Sequence, residues 1–415
     1  AVKLAQHTAP VPPGDLLAHA FGVAFLAKIH EDSGERDELG TVGEITRLED
    51  LLPVEESCGA HKARLDAVFN RQAVDRPPAL GGWIADPEKI MALTETTEDD
   101  YWKDPIEVSV RAYKMFDLLD GLIDIFVPLE RGGYRNITKN QFDERAQKYT
   151  SPEDVVAEIE RLPSPEQVKA EFDYQAFYDE AVAKMRTMQG LCGEYLYWCP
   201  TRWEVVPRWE WYQDFGYDNY FMAIRLYPDK VGRLLEYAAA LAECKGQVII
   251  RMIKEGIQPR CFLCGKDICG QRGPMVDPGF LRERWFPLVR KAFTPLREAG
   301  AHIVWHCDGY VMPVLEDILG LGVAGLQGFQ TETGFRLEDI VERRALDGQK
   351  LLLFGPVSVT TTLVKETPAG VKKAVREAVN ICRDKVHLVL MTANVIGPDI
   401  PLENVFAMYE ALKEE

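Results

Sequence analysis

Residues 301–309 read Ala301-His302-Ile303-Val304-Trp305-His306-Cys307-Asp308-Gly309. The run 301–305 is predominantly apolar and ends at a glycine, the pattern of a buried β-strand. Side chains alternate across a strand, so His306 and Asp308 are expected to point one way and Cys307 the other. An imidazole and a carboxylate then meet at the carboxyl end of a strand, which in an α/β barrel is where chemistry happens. Taken alone, a histidine at a strand end is more often a satisfied structural residue. The surrounding sequence argues for more than that.

Working outward, strand and helix patterns alternate through the second half. From 228 to 254 apolar residues recur at helical spacing (Val231, Leu234, Leu235, Ala238, Leu241) behind a proline in the first turn. A strand is expected at 257–265, then a glycine-bearing loop, then a helix opened by Asp277-Pro278 and running to 300. Strand 301–306 precedes helix 312–319, and strand 323–329 precedes helix 337–346. Strand 350–357 precedes helix 368–382, and strand 387–395 precedes helix 402–412. Strands each followed by a helix at short spacing require parallel pairing through βαβ crossovers. Extended through the first half, the count predicts an α/β fold of the (β/α)8 TIM-barrel type. A doubly wound open sheet is the alternative, but no glycine fingerprint follows an early strand.

The first half is less regular. Asp75-Arg76-Pro77-Pro78-Ala79-Leu80-Gly81-Gly82 reads as the approach to a first strand, and 122–129 as a second. Residues 136–186 are charge-rich and helical in pattern, with helix starts at Ser151-Pro152-Glu153 and Ser164-Pro165-Glu166. Residues 1–63 have no counterpart in a minimal barrel. They are expected to form a helical N-terminal extension to a barrel of residues 64–415, packed on it or on a partner chain, which leaves a homodimer open.

The bulk properties exclude several functions. With 415 residues, 47% of them apolar, the chain can bury a large core. A net charge of −17 with no basic stripe argues against nucleic acid. No run approaches the ~20 apolar residues of a membrane span, and the start lacks the pattern of a secretory signal. A cytoplasmic protein is expected. Nine cysteines without framework spacing suggest reduced thiols, and Cys261-Phe262-Leu263-Cys264, with no second pair of that kind, reads as buried strand rather than a zinc knuckle.

Residues 195–227 concentrate twelve aromatic residues, among them Trp198, Trp203, Trp209, Tyr212 and Tyr217, mixed with Arg202, Glu204, Arg208, Glu210 and Asp214. Core packing accounts for any one of these rings. Together they suit the wall of a pocket for an aromatic ligand.

With these stretches the chain resembles the uroporphyrinogen decarboxylase superfamily. The resemblance rests on Gly265-Lys266-Asp267-Ile268-Cys269-Gly270-Gln271-Arg272-Gly273-Pro274, on His306-Cys307-Asp308-Gly309, and on the strand from Gly322-Val323 leading to Gln330. It continues in Phe354-Gly355-Pro356-Val357 with Thr367-Pro368, and in Pro398-Asp399-Ile400-Pro401-Leu402-Glu403-Asn404-Val405. It is strongest from about residue 217 to the C-terminus. It implies a (β/α)8 barrel, in agreement with the independent strand count. The true decarboxylases hold a polycarboxylate with an arginine-rich motif after the first strand. Here Leu80-Gly81-Gly82-Trp83-Ile84-Ala85-Asp86 carries no arginine, so a polyanion would find no cations there.

A second branch, the corrinoid-dependent methyltransferases, includes methylcobalamin:thiol enzymes that hold zinc with His-x-Cys and a distant cysteine. This sequence has Asp308 and Asn394 at the two cysteine positions, a harder donor set better matched to an oxygen substrate. Together with the aromatic segment, that implies a donor-side member. Such an enzyme takes the methyl group of a small methoxylated aromatic and passes it to the Co(I) corrinoid of a separate corrinoid protein. A non-catalytic barrel binding a tetrapyrrole is the reading from another class. Within the demethylase reading, His306 is a ligand to a metal such as zinc, or a hydrogen-bond donor to the oxygen. Asp308 is a second ligand or general acid, and Asp267 a third ligand or proton donor. Asp267 can equally be satisfying backbone amides of the 265–273 loop. Arg272 would orient a phenolate or ring carboxylate, or pair with Asp267. Tyr310, Gln330, Asn394 and Trp198 are expected at the substrate, and Glu194 as a further metal ligand.

Overall fold

The computed structural model of the protein describes residues 58–131, 148–328 and 330–414. Most of the expected N-terminal extension, part of the charged stretch 136–186 and Phe329 lie outside the described residues.

Eight parallel strands close into a barrel. They are β1 (Leu80–Gly81), β2 (Gly121–Leu122), β3 (Tyr197–Trp198), β4 (Cys261–Gly265), β5 (His302–His306), β6 (Gly325–Gln327), β7 (Leu352–Val357) and β8 (His387–Thr392). Pairing is parallel within β1-β2-β3 and within β4-β5-β6-β7-β8. Two seams join the sets. Arg202 N donates to Leu263 O at 2.7 Å between the β3 and β4 sides. Ala79 bridges Leu390 and Ile84 bridges Ile396, both parallel, between the β1 and β8 sides. The expected TIM barrel is therefore formed, with helices packed outside.

The second half follows the hydrophobic pattern closely. The helices Pro228–Lys254 and Pro368–Cys382 have the expected bounds, because a proline at the first helical position and a sustained apolar stripe fix them. Thr367 and Asp277 cap their helices through side-chain oxygens, and Ser151 and Ser164 each close a capping box. In the first half, β1, β2 and β3 are two-residue strands. Too short to show alternation, they correct the expected strand at 122–129 and leave β3 hidden inside the aromatic run. Cys261 and Cys264 both lie on β4, and the described cysteines are all free and buried.

Alternation divides the core into two layers. Leu80, Ile123, Cys199, Leu263, Val304, Leu352, Phe354, Val389 and Met391 fill the barrel, whereas Trp198, Cys264, Trp305 and Cys307 face the surrounding helices. The helix Cys58–Phe69, which crosses position 63, plugs the amino-terminal end of the barrel. Leu65 and Phe69 are buried in the interior layer, and Phe69 stacks on Phe354 at 6.0 Å between ring centres. Each such side chain stabilises by roughly 1.5–3 kcal/mol. Polar contacts set the plug in place. Fully buried Asp120, just before β2, accepts from His61 Nδ1 at 2.7 Å, Arg64 Nη1 at 2.7 Å, Arg76 Nη1 at 2.8 Å and Ala79 N at 2.8 Å. Arg64 also forks onto Asp75 with two bonds of 2.7 Å.

Candidate active site

With the amino-terminal end stoppered, polar side chains gather at the carboxyl ends of the strands. His306 is the last residue of β5 and points inward, as alternation requires. Asp308 follows two residues later on the same side, and Cys307 packs in the outer layer. Asp267 comes from the loop after β4. Gly265 brings that loop close: its φ is +154°, and a Cβ there would sit 2.0 Å from the His306 carbonyl oxygen. Only glycine lets the two strand ends approach so closely, and Lys266 N then donates to that carbonyl at 3.2 Å.

Asp267, His306 and Asp308 converge, their nearest ligand atoms all within 4.8 Å of one another. His306 Nε2 lies 3.4 Å from Asp267 Oδ1 and 3.7 Å from Asp308 Oδ1. Asp267 Oδ1 also accepts from Asp308 N at 2.9 Å, so it orders the loop amide as well as facing the imidazole. Asn394, beyond the end of β8, donates to Asp308 Oδ2 at 2.7 Å. Gln330 accepts from Gly309 N at 2.8 Å and so fixes the loop that carries Asp308.

Gln327, the last residue of β6, is the contact that sequence reading missed. Its Nε2 donates to the carbonyls of Thr392 and Ala393, both at 3.1 Å. That leaves Oε1 facing His306 Nδ1 in a short hydrogen bond. The amide orientation is thereby determined, and Nδ1 must carry a proton. Nε2 is then the variable atom, directed at two carboxylates. Burial opposes charge on His306, but Asp308 and Asp267 outweigh it and push its pKa up to about 9. Burial and the neighbouring Asp267 charge raise the Asp308 carboxyl. For Asp267, burial is overcome by the His306 bond and charge, and its pKa falls.

Two indoles stand over the imidazole edge-on. Trp83, after β1, lies 6.1 Å from His306 at 79°, and Trp203, after β3, lies 5.4 Å away at 80°. Tyr212, Tyr217 and Phe221 form a second aromatic group, with ring centres 4.5 Å apart for the two tyrosines. Buried Lys266 pairs with Glu210 at 3.1 Å beside them.

The donor set fits a divalent cation. Asp308 Oδ1 is buried with no hydrogen-bond partner among the described residues, an expensive state for a carboxylate oxygen unless a cation or proton meets it. Two carboxylates and one imidazole leave open positions on a cation held between them, and an imidazole whose other nitrogen is hydrogen-bonded is the usual arrangement at a metal.

Other expected site residues lie elsewhere. Trp198 is fully buried in the outer layer, because the neighbours Tyr197 and Cys199 take the inward positions. It cannot reach a ligand in the barrel. Glu194 is exposed and precedes β3, so it lies at the end of the barrel opposite the triad, and its expected role as a ligand is corrected. Arg272 is exposed in the turn of the hairpin formed by Cys269–Gly270 and Gly273–Pro274. Asp267 bonds to Asp308 N and His306 instead of to it. Tyr310 donates its backbone N–H to Gly270 O at 2.9 Å, and its ring packs on the outer apolar layer.

Comparison with known proteins agrees with this architecture. The family model of uroporphyrinogen decarboxylase (URO-D) matches residues 213–415, the half that carries Asp267, His306, Asp308 and Asn394. Over those residues the chain is similar to the uroporphyrinogen decarboxylase family, as the sequence resemblance implied. A solved structure of a methyltransferase from Methanosarcina mazei has a similar fold, with a TM-score of 0.58 and 17% identity over 85% of this chain and 98% of that one. Comparison with curated protein sequences gives no match. The segment after β1 places Trp83 against the imidazole and carries no arginine, and Asp308 and Asn394, the two positions expected to replace cysteines, are bonded to each other beside His306. No described helix is long and apolar enough to cross a membrane.

Proposed function

We propose that this protein is a methyltransferase that removes the methyl group of a methoxylated aromatic compound and delivers it to the Co(I) corrinoid of a separate protein. The observation that carries the reading is the convergence of Asp267, His306 and Asp308, with an unpartnered buried Asp308 oxygen, below the edges of Trp83 and Trp203. The similarity in fold to a methyltransferase supports it.

The reaction breaks the O–CH3 bond with its electron pair left on the aryl oxygen, while the methyl carbon is taken by the reduced cobalt of the partner. Cobalt(I) is already a strong nucleophile, so the barrel's task is the leaving group: an aryl oxide departs slowly unless its growing negative charge is met. Asp267, His306 and Asp308 would hold a divalent ion such as zinc, which when bound supplies Lewis acidity to the ether oxygen. Gln327 keeps the proton of His306 on Nδ1 and so presents Nε2 to the centre. Asn394 and Gln330 fix Asp308 in place. Trp83 and Trp203 orient the ring and exclude water, so that the methyl group faces the open rim. The thiol-methylating alternative lacks support at the site: the cluster offers oxygen and nitrogen donors, Cys307 and Cys269 are buried in the outer apolar layer, and burial drives the Cys307 thiol pKa up.

The test is direct. Purified protein, a panel of methoxybenzenes and chemically reduced cobalamin should give methylcobalamin, read from its absorption spectrum. His306→Ala should abolish the product. A panel in which no methoxyarene yields methylcobalamin would refute the proposal.

A further inference from the structure

A buried ion pair stands one residue from the triad. Lys266 directly precedes Asp267, and its peptide N–H donates to the His306 carbonyl at 3.2 Å. Its ammonium lies 3.1 Å from Glu210 Oε2, with the two side chains only 7% and 10% exposed. Resting on the reading above that Asp267, His306 and Asp308 hold a divalent cation, we infer that Glu210 is a positioning residue for that site: it engages the Lys266 ammonium and thereby keeps it off the Asp267 carboxylate.

A buried ammonium is costly unless a carboxylate meets it. Two are placed to do so. Glu210 comes from the segment after β3, and Asp267 is the next residue in the chain, within the span of a four-carbon stem. Among the described residues the ion pair of Lys266 is with Glu210. Asp267 Oδ1 instead accepts from Asp308 N at 2.9 Å and faces His306 Nε2 at 3.4 Å. Glu210 is presented by a segment tied to itself. Gln213 N donates to the Glu210 carbonyl at 3.2 Å, Trp211 Nε1 donates to Arg208 O at 3.1 Å, and Arg208 is bonded to Asp214. The carboxylate therefore has a fixed mount on which to hold its partner.

The sign of the effect differs for the two partners. Neutralising Glu210 releases the ammonium toward Asp267, where it repels a dication and competes for the same oxygens. A unit charge ~8–10 Å from a divalent ion, at an effective dielectric of ~40, corresponds to a factor of roughly 15–30 in affinity. Neutralising Lys266 does the reverse, because it removes the positive charge and leaves the Glu210 carboxylate to favour the cation. A pair that only stabilised the fold would not show this asymmetry.

The experiment measures zinc affinity of the full chain by chelator competition at pH 7 and low salt, with loss of binding in His306→Ala identifying the triad as the site. Glu210→Gln should weaken zinc about 15–30-fold, and Glu210→Asp, which keeps the charge, should stay within a few-fold of the unaltered protein. Lys266→Met should bind zinc as tightly or several-fold more tightly, a result that stands even should Glu210→Gln fail to fold. Glu210→Gln combined with Lys266→Met should return to near the original affinity. Unchanged affinity in Glu210→Gln, weaker zinc in Lys266→Met, or no rescue in the double variant overturns the inference while leaving the cation site standing. An unaltered protein that binds no zinc at the triad removes the cation reading and this inference with it.

Discussion

Replacing Gln327 by leucine, which keeps the side-chain volume, isolates the polar link between β6, β8 and His306. Three hydrogen bonds disappear: those from Nε2 to the Thr392 and Ala393 carbonyls, and that from His306 Nδ1 to Oε1. The two carbonyl bonds are worth ~0.5–1.5 kcal/mol each, and the buried imidazole N–H left without an acceptor costs ~1–3 kcal/mol. The expected destabilisation is therefore about 2–6 kcal/mol in urea unfolding. The same change frees the imidazole to rotate and to exchange tautomers. Affinity for a divalent cation, measured by chelator competition, should fall ~10–100-fold. In nitrogen-15 spectra of histidine-labelled protein, the signal of a fixed Nδ1–H at His306 should be lost. A Gln327→Leu protein with stability unchanged within ~0.5 kcal/mol and wild-type cation affinity would refute the assignment of Gln327 as the residue that sets His306.

Other outcomes follow from contacts on the same scaffold. Asn394→Ala removes the 2.7 Å bond to Asp308 and should weaken cation affinity ~10–100-fold with little effect on unfolding. Equal affinity would show that Asp308 is not a ligand. Leu65→Ala empties a fully buried position in the barrel plug and should cost ~2–5 kcal/mol in urea unfolding. Asp75 is held below the usual carboxylate range by its bonds to Arg64. For Asp120, burial is outweighed by His61 and Arg76, and its pKa is also lowered. Both groups therefore contribute stability that is complete above the ordinary aspartate pKa of ~4 and is lost as pH falls through their lower folded values. Asp120→Asn should destabilise by ~3–5 kcal/mol at neutral pH, because Arg64 and Arg76 lose a buried partner. It should also flatten stability against pH below ~4, as followed by circular dichroism.

What the sequence discloses of this protein depends on element length. The helix Pro228–Lys254 and the strands β4 to β8 are long enough for an apolar period to show, and a barrel follows from their alternation. The two-residue strands β1 to β3 carry no period, so the first half was legible only as the approach at Asp75 and the capping boxes at Ser151 and Ser164. Within the site, His306 and Asp308 were readable because strand alternation relates neighbours two apart. Asp267 was readable as a candidate because it follows a strand. Gln327 was not: a glutamine ending a strand has no signature until its three partners from β5 and the end of β8 are in place. Trp203 was lost among twelve rings, most of which turned out to pack in the core. Glu194 and Trp198 show the opposite error, since closeness in sequence to that aromatic run says nothing about which end or face of the barrel a residue occupies. Trp83 could have been suspected from its place two residues after β1, at the same level as the other functional side chains.

The helix wedged into the amino-terminal mouth of the barrel has a kinetic consequence. Leu65 and Phe69 close that side, so under the proposed function the small molecule and the protein acceptor would share one doorway in succession. Demethylation would then proceed by compulsory order: the ether enters first, the acceptor seats over it, and the phenol departs only after the acceptor lifts away. Excess acceptor protein should accordingly slow turnover by capping the empty barrel.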